Sequence, residues 1–466
     1  MRQHPTDRTP RLARSAAIAF GLVVSVLGPL VAQRPSDAAL VARIDSAAAA
    51  QIAKGAAPAL SIAVSRGGRT VYAKAFGMAD LENRVPASPD AVFEIGSITK
   101  QFTSAAIMQL VDQGKVSLDD KLTKFFPDWP APGSDVTVRE LLNHTSGIKS
   151  FTSLKQWPLY KGRELSHDSL LALVDHVPFD FTPGTDWRYN NSGYYILGVI
   201  VEKLSGERYA DYVVKHLAEP FGLSSTRYCE SRPLIPHRAR GYSMSPGGFV
   251  NAGYQDMSSP GGAGAVCSTA RDLVAWTRAL ESGKVVKPES YRLMTTPIPL
   301  PSGKRQDYGF GLAAGEFEGH RSISHNGGID GFRSQMASYP DDALIVAVLT
   351  NGESDIADRF EKIVTRFALG IPIVPPKDLP VTATDAERLI GVYSLGEQGV
   401  RVFTDNGRLV IQLPGDQPTR LLSQGGNRFV LESNPDFEAA FKGDGPKAER
   451  IDAKVPGGSL TLPRKP

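Results

Sequence analysis

The chain has 466 residues, too many for one ordinary hydrophobic core, so two domains are expected. Apolar residues make up 41 % and charged residues 22 %, an ordinary globular balance. Net charge is +3 with no basic stripe, which argues against a nucleic-acid partner.

Arg2, Arg8, Arg11 and Arg14 precede the apolar run AAIAFGLVVSVLGPLVA (16–32), after which Gln33, Arg34 and Pro35 end the apolar character. A basic region, an apolar core and a small residue at the cut point form the pattern of a secretory signal over residues 1–32, which predicts a periplasmic or secreted protein. A retained membrane anchor is the rival; the run's modest length, with glycine and proline inside it, favours cleavage. No second spanning segment follows. Cys229 and Cys267 are the two cysteines. In an exported chain they can close one disulfide or remain two buried thiols, and both readings stay open. Neither Cys-x-x-Cys nor His-Glu-x-x-His occurs, so no metal site and no cofactor are expected.

Residues 39–53 read as an alanine-rich helix, and 59–77 as a hairpin turning at Gly67-Gly68. A helix follows in FEIGSITKQFTSAAIMQL (93–110), apolar on nearly every side and stopped near Gly114. The middle of the chain is rich in helices and loops. Within it, 268–283 is a helix opened by a capping signal of Thr269 and Asp272. Three short strands come next, 322–328, 332–340 and 343–351, with Asp341-Asp342 turning between the last two, and then a helix over 356–369. The early hairpin and these late strands are expected to share one sheet, giving an α/β domain over 33–371 with a helical region inserted between the sheet's halves. A proline-dense linker spans 372–381. Beyond it helical patterns vanish, and 382–466 is expected to be a small antiparallel β domain, barrel or meander, with a hairpin turn at Asp405-Asn406-Gly407.

A lysine in the first turn of a buried helix calls for an explanation, because a buried ammonium is costly unless paired or deprotonated. Lys100 lies three residues after Ser97, so both fall on one helical face and the amine can reach the hydroxyl. In a dry site a lysine pKa falls from about 10.4 toward 7–8, which makes it a usable general base. The helix's amino end adds N–H groups and a positive dipole that favour an oxyanion. Roughly two Ser-x-x-Lys matches are expected by chance in a chain this long. Two occur, Ser97/Lys100 and Ser146/Lys149, and the second lies in a loop with no helix behind its lysine. In WRYNNSGYYILGVIVEKLSG (187–206), Tyr189 is a candidate proton relay and Asn191 a candidate donor to a substrate amide; the alternative is a helix cap with a packed tyrosine. In ISHNGGIDGFRS (323–334), His325 stands beside Gly327 and Gly328 on a strand against which a substrate can lie. The alternative there is a simple turn with a surface histidine.

Taken together, Ser97-Ile98-Thr99-Lys100, Tyr189-Asn190-Asn191 and His325-Asn326-Gly327 resemble, in order, the three motifs of serine penicillin-binding proteins and class C β-lactamases. LLNHTSGI (141–148), STARDL (268–273) and YGFGL (308–312) also look like segments of that family. The resemblance covers about residues 39–369 and implies the β-lactamase/DD-peptidase fold, an antiparallel sheet flanked by helices. It implies Ser97 as acylated nucleophile, Lys100 and Tyr189 sharing base and relay work, and Asn191 holding the acyl amide. Backbone N–H groups of Ser97 and Gly328 would form the oxyanion hole. His325 would face the end of the substrate that β-lactams present as a carboxylate, with Gly327 beside it.

The family's β-lactamases place lysine where this chain has His325, so attraction for a substrate carboxylate should be weaker and fade as pH rises past about 6.5. That favours small esters or D-amino-acid peptides, as in relatives with His-x-Gly that resemble esterases and D-aminopeptidases. A β-lactamase, a D-alanyl-D-alanine carboxypeptidase and a slowly turning-over sensor of β-lactams or peptidoglycan fragments are the alternatives. The expected partner is a small-molecule or short-peptide substrate, and the motifs leave the oligomeric state open. No Gly-x-Ser-x-Gly elbow occurs.

Overall fold

The computed structural model describes residues 34–465 apart from 131–132, 305, 397, 415–417 and 456–457. The apolar run and its basic flank lie outside the described residues. Strands Ala59–Arg66 and Arg69–Asp80 pair about Gly67-Gly68, and three strands, His320–Ile329, Phe332–Tyr339 and Leu344–Thr350, return much later. They join one antiparallel sheet of seven strands, in which Ala59–Arg66 lies against Leu344–Thr350 (Leu60 opposite Thr350). The chain between the two halves makes the helical region.

Leu344–Thr350 is buried along its whole length because both faces of the sheet are covered. Leu344, Val346 and Val348 enter the outer core, while Ile345, Ala347 and Leu349 enter the inner one, the period of two that a pleated strand dictates. Two helices cover the outer face. Asp37–Ala53 contributes Leu40, Ile44 and Ala48, spaced by four, and Ile356–Leu369 contributes Ile356, Phe360 and Val364. The capping signal at Thr269 and Asp272 is realised: Thr269 Oγ1 accepts from the Asp272 N–H as the N-cap of Ala270–Glu281.

The buried helix Thr99–Asp112 is surrounded on all sides. Phe102 stacks on Trp276 at 4.1 Å between centroids, and the polar residues are bonded inside. Thr103 Oγ1 meets Tyr209 Oη at 2.6 Å, and Trp276 Nε1 donates to Gln101 Oε1 at 3.2 Å. Cys229 and Cys267 are both buried free thiols.

Past residue 371 the chain runs without regular structure until a short helix, Ala383–Leu389. That helix corrects the expectation that helical patterns vanish there. Thr382 caps it by accepting from the Asp385 N–H, and Leu389 enters the barrel core, so tertiary burial recruits a segment too short to show a period. Eight strands follow as an antiparallel meander, each paired with the next. The first and last meet through a bridge between Tyr393 and Arg464, so the meander closes toward a barrel. Described polar contacts between this domain and the sheet domain fall on and just before the helix Ile356–Leu369: Asp436 with Arg366 at 3.4 Å and with Lys362 at 3.7 Å, and Asn434 Nδ2 with Asp355 at 3.3 Å. No described helix is long and apolar enough to cross a membrane.

Glu361, on the same helix, is 1 % exposed and accepts from Tyr339 Oη at 3.1 Å and Thr365 Oγ1 at 2.7 Å. Burial raises its pKa from an ordinary 4.5 to about 7. The folded state therefore holds the proton more tightly than the unfolded chain, and stability falls as pH rises from about 4.5 through 7, by up to about 3 kcal/mol. Glu361→Gln keeps an acceptor and removes the charge. Thermal melts should show the variant more stable than the parent at about pH 8 and equal to it near pH 4.5.

Candidate active site

Ser97 sits in a tight 3-10 turn, Gly96–Ile98, that runs into the buried helix. Gly96 has φ +51°, and a side chain on it would place Cβ 2.8 Å from the Gly328 amide nitrogen. Across the gap, a Cβ on Gly327 would come within 2.0 Å of the Ile95 carbonyl oxygen. The two glycines let the strand His320–Ile329 lie backbone to backbone against the nucleophile turn. Ser334 Oγ fastens the contact by donating to Ile95 O at 2.8 Å. The neighbouring strand Ala313–Phe317 pairs with His320–Ile329 only as far as Ser324, so no strand covers that edge from His325 onward and it meets the turn instead.

Lys100 is 0 % exposed. Its Nζ lies 3.2 Å from Ser97 Oγ, 2.8 Å from Asn191 Oδ1 and 2.8 Å from the Ala263 carbonyl oxygen. No carboxylate pairs with it among the described residues, and burial holds its pKa well below the usual lysine value. A neutral amine has two protons and one lone pair. Nζ donates to Asn191 Oδ1 and the Ala263 carbonyl, which in the neutral form uses both protons and leaves the lone pair for the Ser97 hydroxyl.

Asn190 caps the helix Asn191–Ser205, its side chain accepting from the Gly193 N–H at 2.8 Å, and this fixes Tyr189 and Asn191 on either side. Asn191 bonds Lys100 through Oδ1, while its Nδ2 donates to Thr152 Oγ1 at 3.0 Å and keeps a second hydrogen. The Tyr189 ring lies 4.6 Å from Lys100 Nζ. Its hydroxyl is buried without a completed hydrogen bond. Burial pushes the phenol pKa up, opposed by Ser97, so Tyr189 is a neutral phenol.

His325 corrects a sequence-based expectation. It is 4 % exposed; Nδ1 faces the Asn326 carbonyl at 2.5 Å and Nε2 meets Tyr308 Oη at 2.8 Å. A carbonyl only accepts, so Nδ1 carries the proton and Nε2 accepts from Tyr308. Burial and the nearby Lys100 pull the His325 pKa down to about 3, against the carbonyl's opposing effect. The ring does not titrate between pH 6 and 8.

The second Ser-x-x-Lys is accounted for structurally. Lys149 Nζ bonds Asp180 at 2.6 Å, a carboxylate shared with Arg188 at 2.9 Å. Ser146 Oγ is buried with no partner. Ala263, Thr152 and Tyr308 also belong to the site. Tyr308 stood in a family-like segment without a role, and Ala263 in the glycine-rich 260–264 run, which the sequence reading did not single out. Among the described residues no group of three or more His, Cys, Asp or Glu gathers as for a metal.

A serine with a buried lysine, a tyrosine and a glycine-lined strand edge on this fold marks the class of serine hydrolases similar to β-lactamases and penicillin-binding proteins. Residues 44–370 match the Beta-lactamase family model, and the chain belongs to that family. It is similar to penicillin-binding protein 4* of Bacillus subtilis (strain 168), 29 % identical over 400 residues that cover 80 % of this chain and 88 % of the relative. It is also similar to a D-aminopeptidase of Gluconobacter oxydans (strain 621H), 25 % identical over 363 residues covering 77 % and 67 % of the two chains. The octameric penicillin-binding protein homologue from Pyrococcus abyssi superposes with a TM-score of 0.66 at 25 % identity, over 90 % of this chain and 99 % of that one.

Two outcomes follow. KM for a carboxylate-bearing substrate should stay flat from about pH 5.5 to 8.5, because His325 is neutral throughout; a titration centred near 6.5 would contradict the buried ring. Gly327→Ala should lower kcat/KM by about 10²-fold, since the methyl drives the strand from the nucleophile turn; steady-state kinetics on a chromogenic ester measures it.

Proposed function

We propose that this serine hydrolase is exported and acts through an acyl-enzyme on Ser97, cleaving small esters or the amide bonds of D-amino-acid peptides. The observation that carries the reading is the buried Lys100 amine, without a counter-ion among the described residues, at 3.2 Å from Ser97 Oγ. Lys100 takes the hydroxyl proton as Ser97 attacks the carbonyl carbon. The raised phenol pKa of Tyr189 disfavours a phenolate, so Tyr189 relays protons toward the leaving group as a neutral donor. The N–H groups of Ser97 and Gly328 hold the oxyanion, each donor worth about 10²–10³ in rate. The second Nδ2 hydrogen of Asn191 holds the acyl amide, and Gly327 leaves room for the substrate along the strand edge.

A neutral His325 offers no charge to a carboxylate, which favours uncharged esters and amides. The similarity to a D-aminopeptidase supports the D-amino-acid arm. The similarity to a penicillin-binding protein supports a second reading, slow acylation by β-lactams, as in a carboxypeptidase or sensor. Export rests on the basic and apolar pattern of residues 1–32.

Labelling with a fluorophosphonate or a fluorescent penicillin, followed by peptide mapping, should find the adduct on Ser97. Ser97→Ala should abolish label and turnover while the thermal midpoint stays put; label on Ser146 would overturn the assignment. In a panel of p-nitrophenyl butyrate, D-Ala-p-nitroanilide and nitrocefin, the first two should turn over faster; nitrocefin in the lead would select the β-lactamase reading.

A further inference from the structure

His144 lies in the LLNHTSGI segment and is 1 % exposed. Its backbone has φ +66°, a left-handed conformation uncommon for a residue with a side chain. Its carbonyl accepts from the Arg188 N–H at 3.1 Å, and its ring Nδ1 accepts from the Asn190 N–H at 3.2 Å. Those are the two residues that flank Tyr189. The His144 ring lies 4.5 Å from the Tyr189 ring, and 4.6 Å from that of Tyr308, the partner of His325. One residue therefore holds the chain on both sides of Tyr189 and packs on its ring.

Because Nδ1 accepts, the ring proton sits on Nε2, which is buried with no hydrogen-bond partner. Packing alone does not explain this residue: an apolar side chain would fill the space without an orphan N–H, but would offer Asn190 no acceptor. Protonating the ring would remove the acceptor and add a charge to a buried site; burial holds the pKa of His144 well below the usual range.

We propose that His144 is the positioning residue for Tyr189, clamping it from both sides so that the phenol is presented to Ser97 and Lys100. The role rests on the Ser97 mechanism proposed above. No described hydrogen bond joins His144 to Ser97; it acts through the register of residues 188–190.

The test compares His144→Gly, which keeps the left-handed backbone and removes the acceptor, with His144→Asn, which tolerates that backbone and restores an acceptor. With a chromogenic ester, His144→Gly should lower kcat about 10- to 10²-fold with KM within about threefold, and His144→Asn should recover at least about fivefold of the loss. The decisive measurement is the double variant with Tyr189→Phe. If His144 works through Tyr189, the double variant is no slower than the worse single one, within about threefold. Losses that multiply, a rise in KM at unchanged kcat, or no recovery with His144→Asn would each overturn the proposal. Fluorophosphonate labelling of the parent protein keeps the two readings apart. Absence of label at Ser97 refutes the acyl-enzyme mechanism, whereas label at Ser97 with multiplying losses refutes only the role of His144.

Discussion

The site depends on one amine kept out of water. Lys100 is enclosed by the helix that carries it, the cap of Asn191–Ser205 and the glycine-rich 260–264 loop. An ammonium in that position without a carboxylate is strongly disfavoured. The geometry fits the neutral form: two acceptors for its two protons, and a serine hydroxyl for its lone pair. The same burial that makes the helix stable thus keeps the amine unprotonated, with a lone pair free to take the Ser97 proton. Reactivity and packing are one constraint here.

The backbone around that amine is placed by close approach. Ser97 and Gly328 are far apart in sequence, and they come together because neither Gly96 nor Gly327 carries a side chain. Ser334, on the next strand, fastens the contact through Ile95. Beyond Ser324 no described strand pairs with that edge, which meets the nucleophile turn. The barrel domain's described polar contacts fall on and just before the helix Ile356–Leu369, which covers the sheet's outer face.

Electrostatically the centre is built from neutral groups. Lys100, His144, Tyr189 and His325 are each driven toward the uncharged form by burial. Burial is the first cause of the shift for each of them. Such a centre relies on hydrogen-bond direction, not on fixed charge, to orient what it binds. It differs in that respect from a site that holds a carboxylate with a lysine.

The sequence by itself determined the elements and their order. The two-residue period of the strands, the cap at Thr269, the Gly67-Gly68 turn and the Ser-x-x-Lys spacing are local signals. They placed Ser97, Lys100, Tyr189, Asn191, His325, Gly327 and Gly328 in the chain order of the family's motifs. The helix Ala383–Leu389 escaped because seven residues show too little period, and its burial comes from strands far along the chain. Only the tertiary structure decided the states of those groups. That Lys149 is spent on Asp180 while Lys100 has no counter-ion among the described residues is a matter of neighbours far away in sequence. So are the neutral ring of His325, fixed by Tyr308, and the hold of His144 on both sides of Tyr189. Residue type and spacing set which groups are available, but protonation and orientation follow from desolvation and hydrogen-bond partners, and those exist only once distant segments have packed together.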